Sequence, residues 1–456
     1  MPEAIATPGR LVPPVPLADA ATPSSRRLLW HYRTNGLRAW PKAAYHDDLF
    51  VREMFGRTTV LLNRPDDIRH VLVENDGNYG RTRPGIRIIR PLLGMQGLFL
   101  ATGDDWRRQR RSAAPAFAPR AVPGFARHSA EALAEALAEL PADGGAGIEL
   151  LAWFQGLALD VAGRALLSLP LRAQAPQIRA ILDGYGRRYG KPGFLDFFLP
   201  LGFPGPRDLA RRLFQRRWFR LVDSIIAARE KTQPTAAGGD LFDVLAAPDG
   251  SGPGRETLRS RVATFLVAGH ETTAVTLFWT CWLLAQAPDW QERIAAEAAM
   301  LDLGPDGAAD AVTQLDATRA VVNEALRLYP PAFVIVRMAK GCDRLSSGAV
   351  TAGSVMMIAP WVLHRHRRLW DDPDAFAPQR FLPGAPPPDR FAFLPFGAGP
   401  RVCIGASLAM VEAVLATAAL VRRYRLGLDG DGPPVQPVAI VTTQPDRRPG
   451  FRLDRR

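Results

Sequence analysis

Phe396-Gly397-Ala398-Gly399-Pro400-Arg401-Val402-Cys403-Ile404-Gly405 is the stretch whose reading decides the fold. Upstream, residues 391–395 are apolar and end in a proline, which cannot continue a regular element. Two glycines and a second proline then force a tight, irregular loop. Downstream, residues 405–423 read as an amphipathic helix with Leu408, Val411, Val414, Leu415 and Ala418 on one face. The spacing therefore predicts Cys403 at a loop-to-helix junction. Free N–H groups at a helix N-terminus carry partial positive charge and favour a thiolate over a thiol. Arg401, two residues earlier, adds a cation. A thiolate held there, with small residues around it, suits a soft metal ion. A lone cysteine is more often structural, so the reading rests on the whole pattern Phe-x-x-Gly-x-Arg-x-Cys-x-Gly.

Three further stretches belong with it. Residues 255–287 read as one long helix whose centre is Ala268-Gly269-His270-Glu271-Thr272-Thr273. A mid-helix glycine costs about 1 kcal/mol against alanine, tolerable where something approaches the backbone closely. Glu271 beside Thr272 makes a carboxylate–hydroxyl pair suited to proton delivery, and a threonine hydroxyl can open local helix hydrogen bonding. In residues 103–117, Trp106 and Arg110 are four apart and share a helix face, offering an indole N–H and a guanidinium to an anion. Arg107, Arg108 and Arg111 then point to solvent. In residues 315–329, Glu324 and Arg327 are neighbours on a helix that stops at Pro330-Pro331. Each feature alone has a plain explanation: a kinked helix, a solvated basic helix, a surface ion pair. Their joint occurrence in this order does not.

Together these stretches resemble the cytochrome P450 family, the haem-thiolate monooxygenases, from about residue 45 to the end. The resemblance implies a mainly α fold with small β-sheets (α+β), a single large helix-rich unit with a long central helix over haem. Residues 1–25 are then an irregular N-terminal segment and 26–456 a single monooxygenase domain. Haem b is the implied cofactor, with Cys403 as its axial thiolate, which favours O–O cleavage. Trp106, Arg110, Arg337 and Arg401 would pair the propionates, and Glu271 and Thr272 would deliver protons. A buried triad of Glu324, Arg327 and Arg380, the last from Phe376-Ala377-Pro378-Gln379-Arg380-Phe381, would lock the cysteine loop. Residues 192–206 correspond to a mobile lid, although their apolar content also suits plain core. The implied reaction inserts one oxygen atom of O2 into a small apolar substrate.

Composition narrows the partners. The net charge is +12, mostly from arginine. Such basicity suits nucleic acid, an acidic membrane or an acidic protein. No nucleic-acid motif accompanies it, which favours the protein. No flavin or nicotinamide fingerprint and no iron–sulfur cysteine set is present, so electrons come from a separate ferredoxin or flavodoxin-type donor with its reductase. Arginines in residues 107–111 and 422–425 are the expected docking face. Three cysteines with no close pair fit a reducing compartment and a cytoplasmic location. Residues 1–23 lack the apolar run of a signal peptide. Residues 262–287 are long enough to span a bilayer, but adjacent His270 and Glu271 argue for a buried soluble helix and no transmembrane anchor. His364, His366 and Cys403 invite a zinc reading that lacks a second close ligand pair. The rival function classes are a peroxide-using or rearranging haem-thiolate enzyme and a non-catalytic haem or small-molecule binder.

The remaining chain carries coarser expectations. Residues 49–58 and 60–63 read as strands turning at Gly56, then a helix over 64–75 capped by Asn63. Residues 76–100 read as a long loop with one short helix, 141–147 as a turn, 333–338 as a strand and 348–362 as a strand hairpin. Small-residue loops at 232–239 and 248–254 flank a short helix, and a small sheet closes the chain near 426–450.

Overall fold

The computed structural model describes residues 10–232, 241–246, 254–346, 348–430 and 432–456. Most of the expected small-residue loops at 232–239 and 248–254 lies outside them. The centre of the molecule is the helix Arg255–Leu284, 30 residues long, about 45 Å at 1.5 Å per residue. It is buried on most of its surface, from Leu266 through Phe278 and Trp279 to Leu284. A helix apolar all round belongs in a core. It packs along Leu150–Leu167, whose Leu157, Ala158, Leu159 and Val161 are also buried. Gly269 explains its own cost. A Cβ there would sit 3.2 Å from the Cβ of Ala162, so glycine lets the two helices close together. Val122–Ala138, Asp208–Glu230, Asp316–Leu328 and Ala406–Arg423 complete the helical body.

A five-stranded sheet lies to one side, in the order Leu49–Met54, Arg57–Leu62, Val355–Ile358, Ile335–Ala339, Tyr79–Gly80. Its first hairpin turns at Phe55 and Gly56, φ 51° and 72°, the double positive φ that a tight two-residue turn requires. Val60 pairs with Met356 in parallel, while Arg337 pairs with Met356 and Gly80 with Met338 in antiparallel register. Carrying the last register one residue further sets Arg81 opposite Arg337.

Several local expectations are corrected. Asn63 does not cap a helix; its amide donates to the carbonyls of Ala44 and Asp47 at 2.9 and 2.8 Å. The helix it precedes is Pro65–Arg69, passing into a wider turn over His70–Glu74. The one helix expected within residues 76–100 is Arg83–Leu93, 11 residues long, with Pro91 inside it. The turn near 141–147 contains the strand Gly144–Ile148, paired with Phe451–Arg455. Residues 348–362 are not a hairpin: Gly348–Val350 pairs with Asp343–Leu345, Val355–Ile358 joins the large sheet, and Pro360–Leu363 is a short helix. Among the described residues the one helix long and apolar enough to cross a membrane is Leu150–Leu167, not the stretch near 262–287, and its most apolar window is 83% buried.

Candidate active site

The cysteine loop is built by two glycines at φ 71° and 74°, Gly397 and Gly399. A Cβ on Gly399 would lie 1.9 Å from the carbonyl oxygen of Leu72, so only glycine passes there. The Cys403 N–H donates to the Phe396 carbonyl at 2.9 Å, closing the loop. The following helix begins at Ala406 with Gly405 as its cap, so the predicted junction is present. Cys403 is exposed, but to an interior cavity of about 690 Å³ that it lines. Surrounding protein pushes its thiol pKa up, and the Gly405 N–H and the charge of Arg110 pull it back. Arg401 does not act on the sulfur as expected. Its guanidinium lies 4.6 Å from the Trp106 ring and donates to the Ala101 carbonyl at 3.1 Å.

Trp106, Arg110, Arg337 and Arg401 all line the same cavity, joined by Arg81. Arg107 and Arg108 turn outward to Asp104 and Asp105. Arg81, Arg110, Arg337 and Arg401 form no ion pair among the described residues. Burial and the neighbouring guanidiniums push Arg81 down to about 9 and Arg337 down to about 10. The Nε of Arg81 is buried without a partner. Like charges crowded in this way call for an anion between them. The cavity's remainder is mainly apolar, with Leu98, Phe117, Ala162, Phe265, Ala268 and Val334 on its wall.

The long helix contributes Ala268, Gly269, Thr272 and Thr273 to the wall. Thr272 donates its hydroxyl back to the Ala268 carbonyl at 2.6 Å. Glu271 does not line the cavity. Its Oε1 accepts from Thr442 Oγ1 at 2.8 Å and from Gln444 Nε2 at 2.5 Å, and burial raises its acid pKa. The carboxyl and hydroxyl expected to act as a pair therefore point to different sides, as adjacent helical residues must.

The supporting triad is complete. The Glu324 carboxylate receives Arg327 Nε and Nη2, both at 2.7 Å, the Ala377 N–H at 2.7 Å and Arg380 Nε at 3.3 Å. Arg327 spends its other three donors on the carbonyls of His364, Pro373 and Ala375. His364 then carries the contact onward. Its Nδ1 donates to the Arg327 carbonyl at 3.2 Å, and its Nε2 accepts the Leu394 N–H at 2.9 Å, just before the cysteine loop. His364 is thus a strut rather than a zinc ligand; His366 bonds the Asp47 carbonyl, and no metal-ligand cluster occurs among the described residues.

Two wall residues escaped the sequence. Arg81 sat among several arginines of an apparent loop, and only the register of Tyr79–Gly80 on Ile335–Ala339, carried one residue on, sets it against Arg337. Glu412 is the one acidic residue of a mainly apolar helix. It is 3% exposed and lines the cavity; its Oε1 has no partner and burial pushes it up to about 8.

A thiol at the wall, unpaired guanidiniums beside it and an apolar remainder fit a planar, dianionic metalloporphyrin. The Cytochrome P450 family model matches residues 42–448. The chain belongs to the cytochrome P450 family. It is 30% identical over 433 residues to cyclooctat-9-en-7-ol 5-monooxygenase of Streptomyces melanosporofaciens, covering 91% of each chain. It is 29% identical over 442 residues to a cytokinin hydroxylase of Arabidopsis thaliana, covering 92% of this chain and 82% of that one. A six-coordinated cytochrome P450 of Thermus thermophilus superposes with TM-score 0.66 at 26% identity, over 87% of this chain and 92% of that one. A cytochrome P450DA heme domain superposes with TM-score 0.74 at 24% identity, over 90% of each, a likeness of fold. This P450 is accordingly an α+β cytochrome P450 monooxygenase that binds haem b.

Proposed function

We propose that this P450 inserts one oxygen atom from O2 into an apolar organic substrate by hydroxylation or epoxidation, using electrons from a separate ferredoxin or flavodoxin-type donor and its reductase. The observation that carries the reading is the cavity, cationic and thiol-bearing on one side and apolar on the other. In this reading Cys403 holds the haem iron, and Trp106, Arg81, Arg110, Arg337 and Arg401 hold the propionates. Bound haem supplies the O2 activation. The apolar wall orients substrate and excludes bulk water. Thr272 holds a hydroxyl at the wall, and Glu271 stores a proton behind it. Glu324, Arg327 and Arg380 are structural, and residues 26–456 act as one domain. Three unpaired cysteines support a cytoplasmic location.

The donor's docking face is narrower than composition suggested. Arg107, Arg108 and Arg425 are paired with Asp104, Asp105 and Glu292, which leaves Arg111, Arg422 and Arg423 as its centre.

The test supplies the haem-loaded protein with a surrogate ferredoxin, its reductase and ¹⁸O2 over a panel of apolar compounds. The relative's name makes cyclic alkenols the first to try. Products carrying one ¹⁸O are expected. Turnover with peroxide alone, or no oxidation of any compound, would overturn the reading in favour of a peroxide-using or non-catalytic haem protein.

A further inference from the structure

The residues that hold Glu271 belong to a segment that also walls the cavity. Pro437–Ala439 and Thr443–Pro445 pair as an antiparallel hairpin, Ala439 opposite Thr443. Ala439, Ile440 and Val441 line the cavity. The next residue, Thr442, donates to Glu271, and Gln444 donates both to Glu271 and, at 3.0 Å, to Thr442 Oγ1. Between them Thr443 is fixed. Its N–H and hydroxyl donate to the carbonyls of Pro331 and Pro330 at 3.2 and 2.7 Å, and its carbonyl accepts the Trp279 indole N–H at 2.9 Å. Thr443, which closes the turn opposite Ala439, is therefore pinned to Pro330, Pro331 and the long helix, and the turn over residues 440–442 bridges the cavity wall and Glu271. For Glu271 to reach the Thr272 side of the helix, its carboxyl must leave Thr442 and Gln444.

We propose that Thr442 and Gln444 are positioning residues that park the Glu271 carboxyl, and that an occupant of the cavity pressing on Ile440 and Val441 releases it. This rests on the monooxygenase reading above and deepens it, because proton supply is then withheld until substrate fills the cavity. The step moves one proton in relay: the Glu271 O–H bond breaks as its proton passes to the Thr272 oxygen, the Thr272 O–H bond breaks as its own proton passes into the cavity, and Glu271 is reprotonated from the solvent side. The charged group facing it there is Asp183 of the helix Ala175–Arg188, while Arg179 of the same helix acts on the neighbouring His270. Asp183 is held by Arg448 at 2.6 Å, which also binds Glu149, and lies 3.8 Å from Arg187.

The experiment is an infrared difference spectrum of the full-length haem-loaded protein, with 4-phenylimidazole as the cavity probe. Glu271→Gln assigns the Glu271 carboxyl band. The band is expected to shift when the probe binds. In the double variant Thr442→Val/Gln444→Leu it should start at the shifted position and no longer respond. Thr442→Ser should restore the response. The alkaline limb of the kcat/KM–pH profile, which reports the substrate-free enzyme, should move up by about one unit in the double variant, since the parked, ionised carboxyl loses two donors. A wild-type band indifferent to the probe, or a double variant that responds like wild type, would overturn the proposal. If the double variant fails to fold, Thr442→Val alone must halve the shift or the proposal falls. A silent band in a protein with a normal thiolate–haem spectrum removes this inference only; loss of that spectrum removes the monooxygenase reading as well.

Discussion

Arg81 and Arg337 face each other with no carboxylate between them, each held below the usual guanidinium range by burial and like charge. Removing either charge should relieve the haem-free protein and injure the loaded one. Arg81→Met is expected to raise the melting temperature of the haem-free chain. The same change should weaken haem binding about 10- to 100-fold, the worth of a charge-assisted hydrogen bond. Haem transfer to an acceptor globin, beside thermal melts of the haem-free protein, measures both; a parallel loss of both would contradict the anion-cradle reading. His364 and His270 are buried with pKa values pushed down to about 3 and about 4, chiefly by desolvation. A histidine whose folded pKa is lowered keeps its full stabilising effect above the unfolded value near 6.5 and loses it as pH falls toward the folded value. Stability should therefore drop between about pH 6.5 and 4, with each histidine adding up to about 1.4 kcal/mol per pH unit. Urea unfolding across that range tests this, and His364→Asn should flatten the slope. Cys403 was legible because loop glycines, proline and helix onset all bracket it. Arg81 and Glu412 were not, because nothing local separates them from ordinary surface residues.

At the scale of elements, the Glu324 carboxylate ties the helix Asp316–Leu328 to residues 373–380, and His364 extends the tie to Leu394. Glu324 and Arg327 are both 0% exposed. Cutting one partner of such a pair leaves a buried charge alone and costs about 3–5 kcal/mol. Glu324→Ala is expected to lose that much in denaturant titration and to lose haem on gel filtration. A cost under about 1 kcal/mol, typical of a surface pair, would contradict the account. Elements with long apolar periodicity, such as Arg255–Leu284 and Ala406–Arg423, were legible within a few residues. The sheet was harder. Val355–Ile358 pairs with strands far away in sequence, and no local pattern announces a long-range partner. The short helix expected within 76–100 is Arg83–Leu93, whose bounds were blurred by the two prolines it contains, one at its start and one inside.

The whole molecule encloses a large cavity beneath its longest helix, with six guanidiniums that have no ion pair among the described residues and one thiol on its wall. A fold built around such a hollow gains stability from whatever fills it, by the ordinary linkage of binding to folding. Cys403 sulfur is expected to bind porphyrin iron there. The most direct measurement is the absorption spectrum of the reduced, haem-loaded protein under carbon monoxide. The account predicts the strongly red-shifted Soret band of a thiolate-ligated haem, abolished in Cys403→Ala. A protein that takes up no haem, or a band that stays in place when Cys403 is replaced, would contradict it.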